Sequence, residues 1–510
     1  MEGPATSRAP RIGQSRRRRW DERWTFIAVP AEGSWRLGGG ETAAYISSAA
    51  IPPASCDPHA TTCHPEHLVP YTESDTRFHC AVGNPMTLIL LQTCRGALAV
   101  TLTLAVAGAA AAHNGGDVDP ARGATRWTSF RGGMDVNVSR AARLPLTWSD
   151  DRVAWRTTTA GFGQSSPVIW DGTVFLTSVE GAMKETIHVT ALGLQDGAER
   201  WRRTFEAAEE FEWNDYVSKG APTPAVDAER LYAFFASGDL IALTHDGETV
   251  WHRKLGAEYG TVGGNHGVGN SVLLTDSAAV VMLARRTYSY LLALDPVTGK
   301  NQWKTDREPG VSWSTPVLAP SGEEIVVSAS GRIEGFDAGT GERRWVFEDV
   351  EGNNVPSPTI TEDLIIVGGL AVEANLAIRR GGTGALGPSS LAWKAGSASN
   401  FASPFLYRDC VYWVNAAGVA RCLAPESGTV RWTHRLPAST WATPLGHQDH
   451  VYFFTQEGVT QVLRASAEAP EVVATNHLSV DAPVTGFAVV DDAIVIRAGT
   501  EVIRVGQAAE

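Results

Sequence analysis

From Val153 onward the chain is written as short apolar runs separated by polar turns, and the same order of marks keeps returning. One unit reads Pro316-Val317-Leu318, Ile325 to Val327, Ile333 to Phe336 and Arg344 to Val346. Alternation over about five residues between Gly- and Asp-containing turns predicts four short antiparallel strands to a unit. A small hydroxyl residue before Pro opens the units: Ser166-Pro167, Thr223-Pro224, Thr315-Pro316, Ser357-Pro358, Ser403-Pro404 and Thr443-Pro444. Asn270-Ser271 and Gly486-Phe487 hold the place in two degenerate units, which makes eight. The Pro falls at the start of a strand, where its missing N–H costs least.

A Gly four residues before a Trp closes the units, at Gly197 and Trp201, Gly247 and Trp251, Gly299 and Trp303, Gly341 and Trp345, and Gly428 and Trp432. Trp155 and Trp393 fit the series without the Gly, and tryptophans 155 to 432 fall 39 to 52 residues apart. Four-stranded units repeated at this period are the signature of a β-propeller. The expected fold is therefore all-β, an eight-bladed propeller over residues 153–510. The seven tryptophans read as packing between blades, each able to bury about 150 to 250 Å², and the Gly supplies the positive φ of a tight turn. The last unit has three strands and no Trp, whereas Val153 to Arg156 is a lone strand before the first. The N-terminal strand is thus expected to complete the eighth blade and remove the exposed edges at the seam.

The segments ALDPVTGKNQW, Ala293 to Trp303, and FDAGTGERRW, Phe336 to Trp345, resemble the tryptophan-docking motif of the pyrroloquinoline-quinone-like (PQQ-like) β-propeller repeat family. The resemblance covers about residues 127–510. The opening Trp127-Thr-Ser-Phe-Arg-Gly-Gly133 is similar to the start of exported bacterial members related to the outer-membrane assembly factor BamB. The family holds both quinoprotein dehydrogenases and non-enzymatic scaffolds, so the shared fold cannot choose between them. The dehydrogenases are marked by an adjacent Cys-Cys disulfide over the quinone, calcium held by Glu, Asn and Asp, and an Asp base. No two cysteines of this chain are adjacent. The resemblance therefore implies a non-catalytic exported scaffold with no cofactor, and PQQ with calcium belongs only to the alternative, an alcohol dehydrogenase-like quinoprotein.

Composition sharpens this picture. With Gly 51 and Trp 17 in 510 residues, many tight turns around an aromatic-rich core are expected. Residues 113–510 carry a net charge of −14, which repels phosphate backbones and argues against a nucleic-acid partner. Cys410 and Cys422 lie on neighbouring strands of one predicted hairpin; two buried free thiols are expected, with a cross-strand disulfide as the alternative.

The front of the chain is different. Residues 1–85 lack periodicity and carry the basic run Arg16 to Arg19, so they are expected to be disordered or untranslated. Arg95 followed by the uncharged run Gly96 to Ala112 has the form of a secretory signal within residues 86–112, with translation starting at Met86. Residues 113–152 then form a lead-in. The mature protein is expected in the periplasm or cell envelope, without a stable membrane span, as a monomeric propeller.

No G-x-S-x-G, P-loop, H-E-x-x-H or EF-hand pattern is present, and catalytic and metal sites are expected to be absent. His447-Gln-Asp-His450 reads as a solvated turn, Asn265-His266, Asp196, Asp295 and Asp337 as turn residues, and Arg379 and Arg380 as solvated loop charges. The position three before each Pro runs Gln164, Ala221, Val268, Trp313, Val355, Phe401, Trp441 and Val484. These positions should ring one mouth of the channel. Gln164, Trp313, Phe401 and Trp441 are the candidate binding residues for a protein or cell-envelope ligand, against the plainer reading that they plug the entrance.

Overall fold

The computed structural model describes residues 126–506 apart from 136, 140, 142, 211–219, 263–266, 351 and 353. The expectations for residues 1–85, for the signal in 86–112 and for Asn265-His266 lie outside the described residues.

Eight sheets follow one another along the chain, six of four strands and two of five, and each blade's own four strands pair antiparallel. Blade 1 is built from Val168–Trp170, Thr173–Glu180, Thr186–Gly193 and Glu199–Glu206, running from the channel to the rim. The two middle strands of a blade are covered on both sides by neighbouring blades, so most of their residues are buried. In blade 3, Ala279–Ala284 and Ser289–Leu294 are buried at every position. Rim strands alternate instead, as Glu199–Glu206 does. The ring closes as the sequence implied: Val153–Thr158 pairs antiparallel with Glu501–Val505 and is the rim strand of blade 8.

Six of the seven repeated tryptophans dock in one way. Their indole N–H donates to a carbonyl in the turn between the third and fourth strands of the next blade: Trp155 to Leu194, Trp201 to His245, Trp251 to Pro296, Trp303 to Ala338, Trp393 to Pro425 and Trp432 to Ser466, at 2.8–3.3 Å. In five of those turns, all but the one that receives Trp432, a Gly lies against the ring. Gly299 has φ +65°, and a Cβ there would lie 2.6 Å from Trp251. Glycine is thus required twice, for its backbone conformation and for contact with the indole. Asp295 braces the same turn by accepting from the backbone N–H groups of Val297 and Thr298 and from the Thr298 hydroxyl. Those bonds hold its carboxyl below the usual range.

Two seams depart from the rule. Trp345 of blade 4 is buried but donates to Glu324 of its own blade at 2.7 Å. The turn it would meet in blade 5 is drawn out into an insertion, whose strand Gly384–Leu386 pairs in parallel with Trp345 to Phe347 on the rim strand of blade 4. In blade 7, Ala474 stands where a Trp is expected: Val462 faces Ala474 at a bulge, as Ala242 faces Trp251 in blade 2. The missing ring comes from the lead-in. Trp148 is buried in one cluster with Ala474 and stacks on Tyr452, centroids 6.3 Å apart and planes at 10°. Its backbone N–H donates to Asn476, whose amide donates to the Leu146 carbonyl.

Cys410 and Cys422 are joined by a disulfide, with Cα atoms 5.4 Å apart, so the expectation of free thiols is corrected. Cys422 pairs with Tyr412, which places Cys410 diagonally across from it on the same face of the hairpin.

Candidate functional site

The loops that leave one rim strand and enter the next inner strand all lie on one face, together with the turns between second and third strands. On that loop face the candidate residues do not form one ring. Phe401 and Trp441, entering blades 6 and 7, meet with centroids 5.3 Å apart. Trp441 is 37% exposed and is the only exposed aromatic among the described residues. Trp313, entering blade 4, lies back on the neighbouring loop, where its indole donates to the Gly267 carbonyl at 3.2 Å. Gln164 is half-buried in the loop entering blade 1, away from the aromatic pair around the ring.

What fills the channel is neither of these. Arg126–Trp127 adds to the inner edge of blade 1, pairing with Trp170 and Ile169. The Thr128 carbonyl accepts from Val226 in blade 2. Arg131 donates to the carbonyls of Pro358 in blade 5 and Pro404 in blade 6 and to the Thr359 hydroxyl. The Asn137 amide donates to the carbonyls of Thr443 and Pro444 in blade 7, and Val138 forms a parallel bridge with Gly446. Trp127 packs 6.1 Å from Phe487 of blade 8. A segment that reaches the inner strands of six blades runs in the channel.

This geometry explains the Trp127-Thr-Ser-Phe-Arg-Gly-Gly133 motif. Gly132 and Gly133, at φ +83° and +84°, reverse the chain at the tip, and a Cβ on Gly132 would meet the Trp127 ring. Arg131 supplies the reach to the far side. Burial pushes its guanidinium down to about 9, and carbonyl oxygens take the place of water around it. The motif was visible in the sequence; its role as an axle was not, because the partners of Arg131 are more than two hundred residues away.

Other chemistry-bearing groups have structural partners. His447 is buried rather than solvated, lying against the axle near Ser139, and burial pushes its imidazole down. Arg379 donates to the carbonyls of Ser389 and Leu391, and Arg380 to those of Thr361 and Glu362, so neither is a free loop charge. Arg307 and Glu334 form a buried ion pair between blades 3 and 4. Beside Trp345 the insertion leaves an open cleft of about 1110 Å³, lined by Glu323, Glu342, Arg343, Glu362, Asp363 and Arg380 among others. Among the described residues no group of three or more His, Cys, Asp or Glu is placed to hold a metal ion. Nor is any described helix long and apolar enough to cross a membrane.

Known proteins place this geometry in context. A family model described as outer membrane protein assembly factor BamB matches residues 116–265 and 244–420. Two curated relatives bear that same description. The one from Moranella endobia is 24% identical over 224 residues, covering 42% of this chain and 52% of the relative. The one from Yersinia pestis is 22% identical over 236 residues, covering 46% and 55%. The chain thus spans about half the length of the curated relatives it matches. A quinohemoprotein alcohol dehydrogenase from Comamonas testosteroni aligns with a TM-score of 0.51 at 12% identity, over 76% of this chain and 81% of the dehydrogenase. That likeness shows the fold alone. With the tryptophan-docked repeat and the family match both extending over more than half of its length, the chain belongs to the BamB family of PQQ-like β-propellers.

Proposed function

We propose that the protein is an exported, non-catalytic scaffold, a monomeric propeller that binds a protein or cell-envelope partner through its loop face. One observation carries the reading. The channel is taken up by the chain's own residues 126–135 and 137–139, and the exposed indole of Trp441, backed by Phe401, stands on the loop face. A rigid aromatic anchor beside a fixed apolar ring is the kind of surface on which binding energy concentrates. The relatives' description as outer membrane protein assembly factors supports an envelope partner. The buried Cys410–Cys422 disulfide supports folding in an oxidising compartment.

The test is capture from envelope extracts with the wild-type chain and with the Phe401→Ala, Trp441→Ala double variant, melting temperatures measured alongside. The double variant is expected to keep its melting temperature within a few degrees and lose the captured partner at least about tenfold. Equal capture by both proteins overturns the loop-face reading. Dye-linked alcohol oxidation after addition of PQQ and calcium overturns the non-catalytic one.

A further inference from the structure

The rim strands of the eight blades are the outer edges of their sheets, and a bare edge of unpaired N–H and C=O groups invites another strand unless charge or cover prevents it. Seven blades carry such protection. Glu199–Glu206, Thr249–Lys254, Asn301–Arg307, Arg343–Val350 and Val430–Arg435 each hold two or more charged residues, Leu391–Lys394 holds Lys394 and Val153–Thr158 holds Arg156. The rim strand of blade 4 is also covered by the parallel strand Gly384–Leu386. Blade 7 is the exception. Its rim strand Val472–His477, VVATNH, contains no Asp, Glu, Lys or Arg, and Val472 and Val473 are 42% and 37% exposed.

Its side toward blade 8 is covered by the lead-in through Ala474 and Asn476, but Val473, Thr475 and His477 are exposed. Among the described residues no further strand lies beyond it in its sheet. The charges at its near end are matched among themselves, Arg464 with Glu471 at 2.8 Å and with Asp449 at 3.0 Å.

We infer that the outer edge of blade 7 is a strand-addition site that takes an extended, uncharged segment of a partner protein. The molecule already uses this mode at a rim, where Gly384–Leu386 adds to blade 4. Main-chain hydrogen bonds supply the affinity in such pairing, and alternate side chains supply the selectivity. Val473 and Thr475 present a small β-branched strip, which matches Val, Ile or Thr at alternate positions of the incoming strand. A charged strand finds no unpaired partner there and gives up hydration on docking. The site goes beyond the loop-face reading, since the edge lies on the rim and shares no residue with Phe401 or Trp441.

The probe is a blocked, fluorescein-labelled peptide of alternating Thr and Val, titrated into the full chain and followed by amide hydrogen exchange. Saturable binding is expected, with exchange slowed across residues 472–477. The Val473→Lys, Thr475→Lys double variant is expected to bind at least about tenfold more weakly, as a charged edge should. Val473→Glu is the second variant should the first lose its native melting temperature. Val430→Lys on blade 6 and the Phe401→Ala, Trp441→Ala variant are expected to bind as wild type, which separates this site from the loop face. The inference is overturned by absence of saturable binding, by equal binding to wild type and the blade 7 variants, or by protection confined to other strands. It is overturned too if the wild-type chain is a dimer that Val473→Lys dissociates, since a second copy would then be the occupant.

Discussion

The seam between blades 2 and 3 and the seam between blades 7 and 8 are filled by the same kind of side chain delivered from different directions. At the first, Trp251 stands on its own rim strand near Tyr232 and donates to Pro296 of the next turn. At the second, the rim strand offers Ala474, and Trp148 arrives from before the repeat to stack on Tyr452. The first seam is local and repeats with the period. The second exists only once the lead-in has crossed the channel, so the ring's last interblade contact depends on a segment that precedes the repeat. Volume between blades has to be filled, whichever segment fills it.

The largest expected effect tests whether the two rings are equivalent. Trp251→Ala and Trp148→Ala should each destabilise by about 3–5 kcal/mol in denaturant unfolding, as removal of a buried aromatic ring does. A Trp148→Ala cost under about 1 kcal/mol would break the comparison and leave the lead-in an ornament. Adding Ala474→Trp to Trp148→Ala should return part of the loss, because it restores the ring to the place the other blades use.

A smaller effect separates backbone from packing at the local seam. Gly299→Ala forces a side chain at φ +65° against Trp251, and about 1–3 kcal/mol of destabilisation is expected. Gly331, at φ +89° with open space around its added Cβ, carries only the backbone part, so Gly331→Ala should cost less. Equal costs in thermal melts would show that contact with the indole is not what demands glycine.

The smallest effect belongs to the seam where the axle meets blade 7. Burial favours neutral His447 in the folded chain, whereas the unfolded chain takes up the proton near its ordinary value of about 6.5. Stability from this group is therefore fully present above about pH 6.5 and declines as the pH falls below it. His447→Gln should flatten that part of the stability profile between about pH 7 and 5; an unchanged slope would place the proton uptake elsewhere.

Much of the fold was legible because a propeller repeats its local signals. The Pro, the turn Gly and the Trp stand at constant spacing, and the lone strand before the first unit matches the strand missing from the last. The candidate site was legible only in part. Phe401 and Trp441 share an aligned position and do meet. Trp313 shares that position too, yet folds back on its neighbour, because position in a repeat does not set where a loop side chain turns.

What the sequence by itself determined is whatever the period carries: the strands, the blades and the seven tryptophans depend on neighbours a few residues away or one repeat apart, and the closing strand is the one that the last unit lacks. Tertiary structure alone decided the rest. The axle of residues 126–135 and 137–139, the substitution of Trp148 for a blade's own ring and the burial of His447 all rest on contacts that no spacing encodes. They appear only when the ring closes and brings distant segments together.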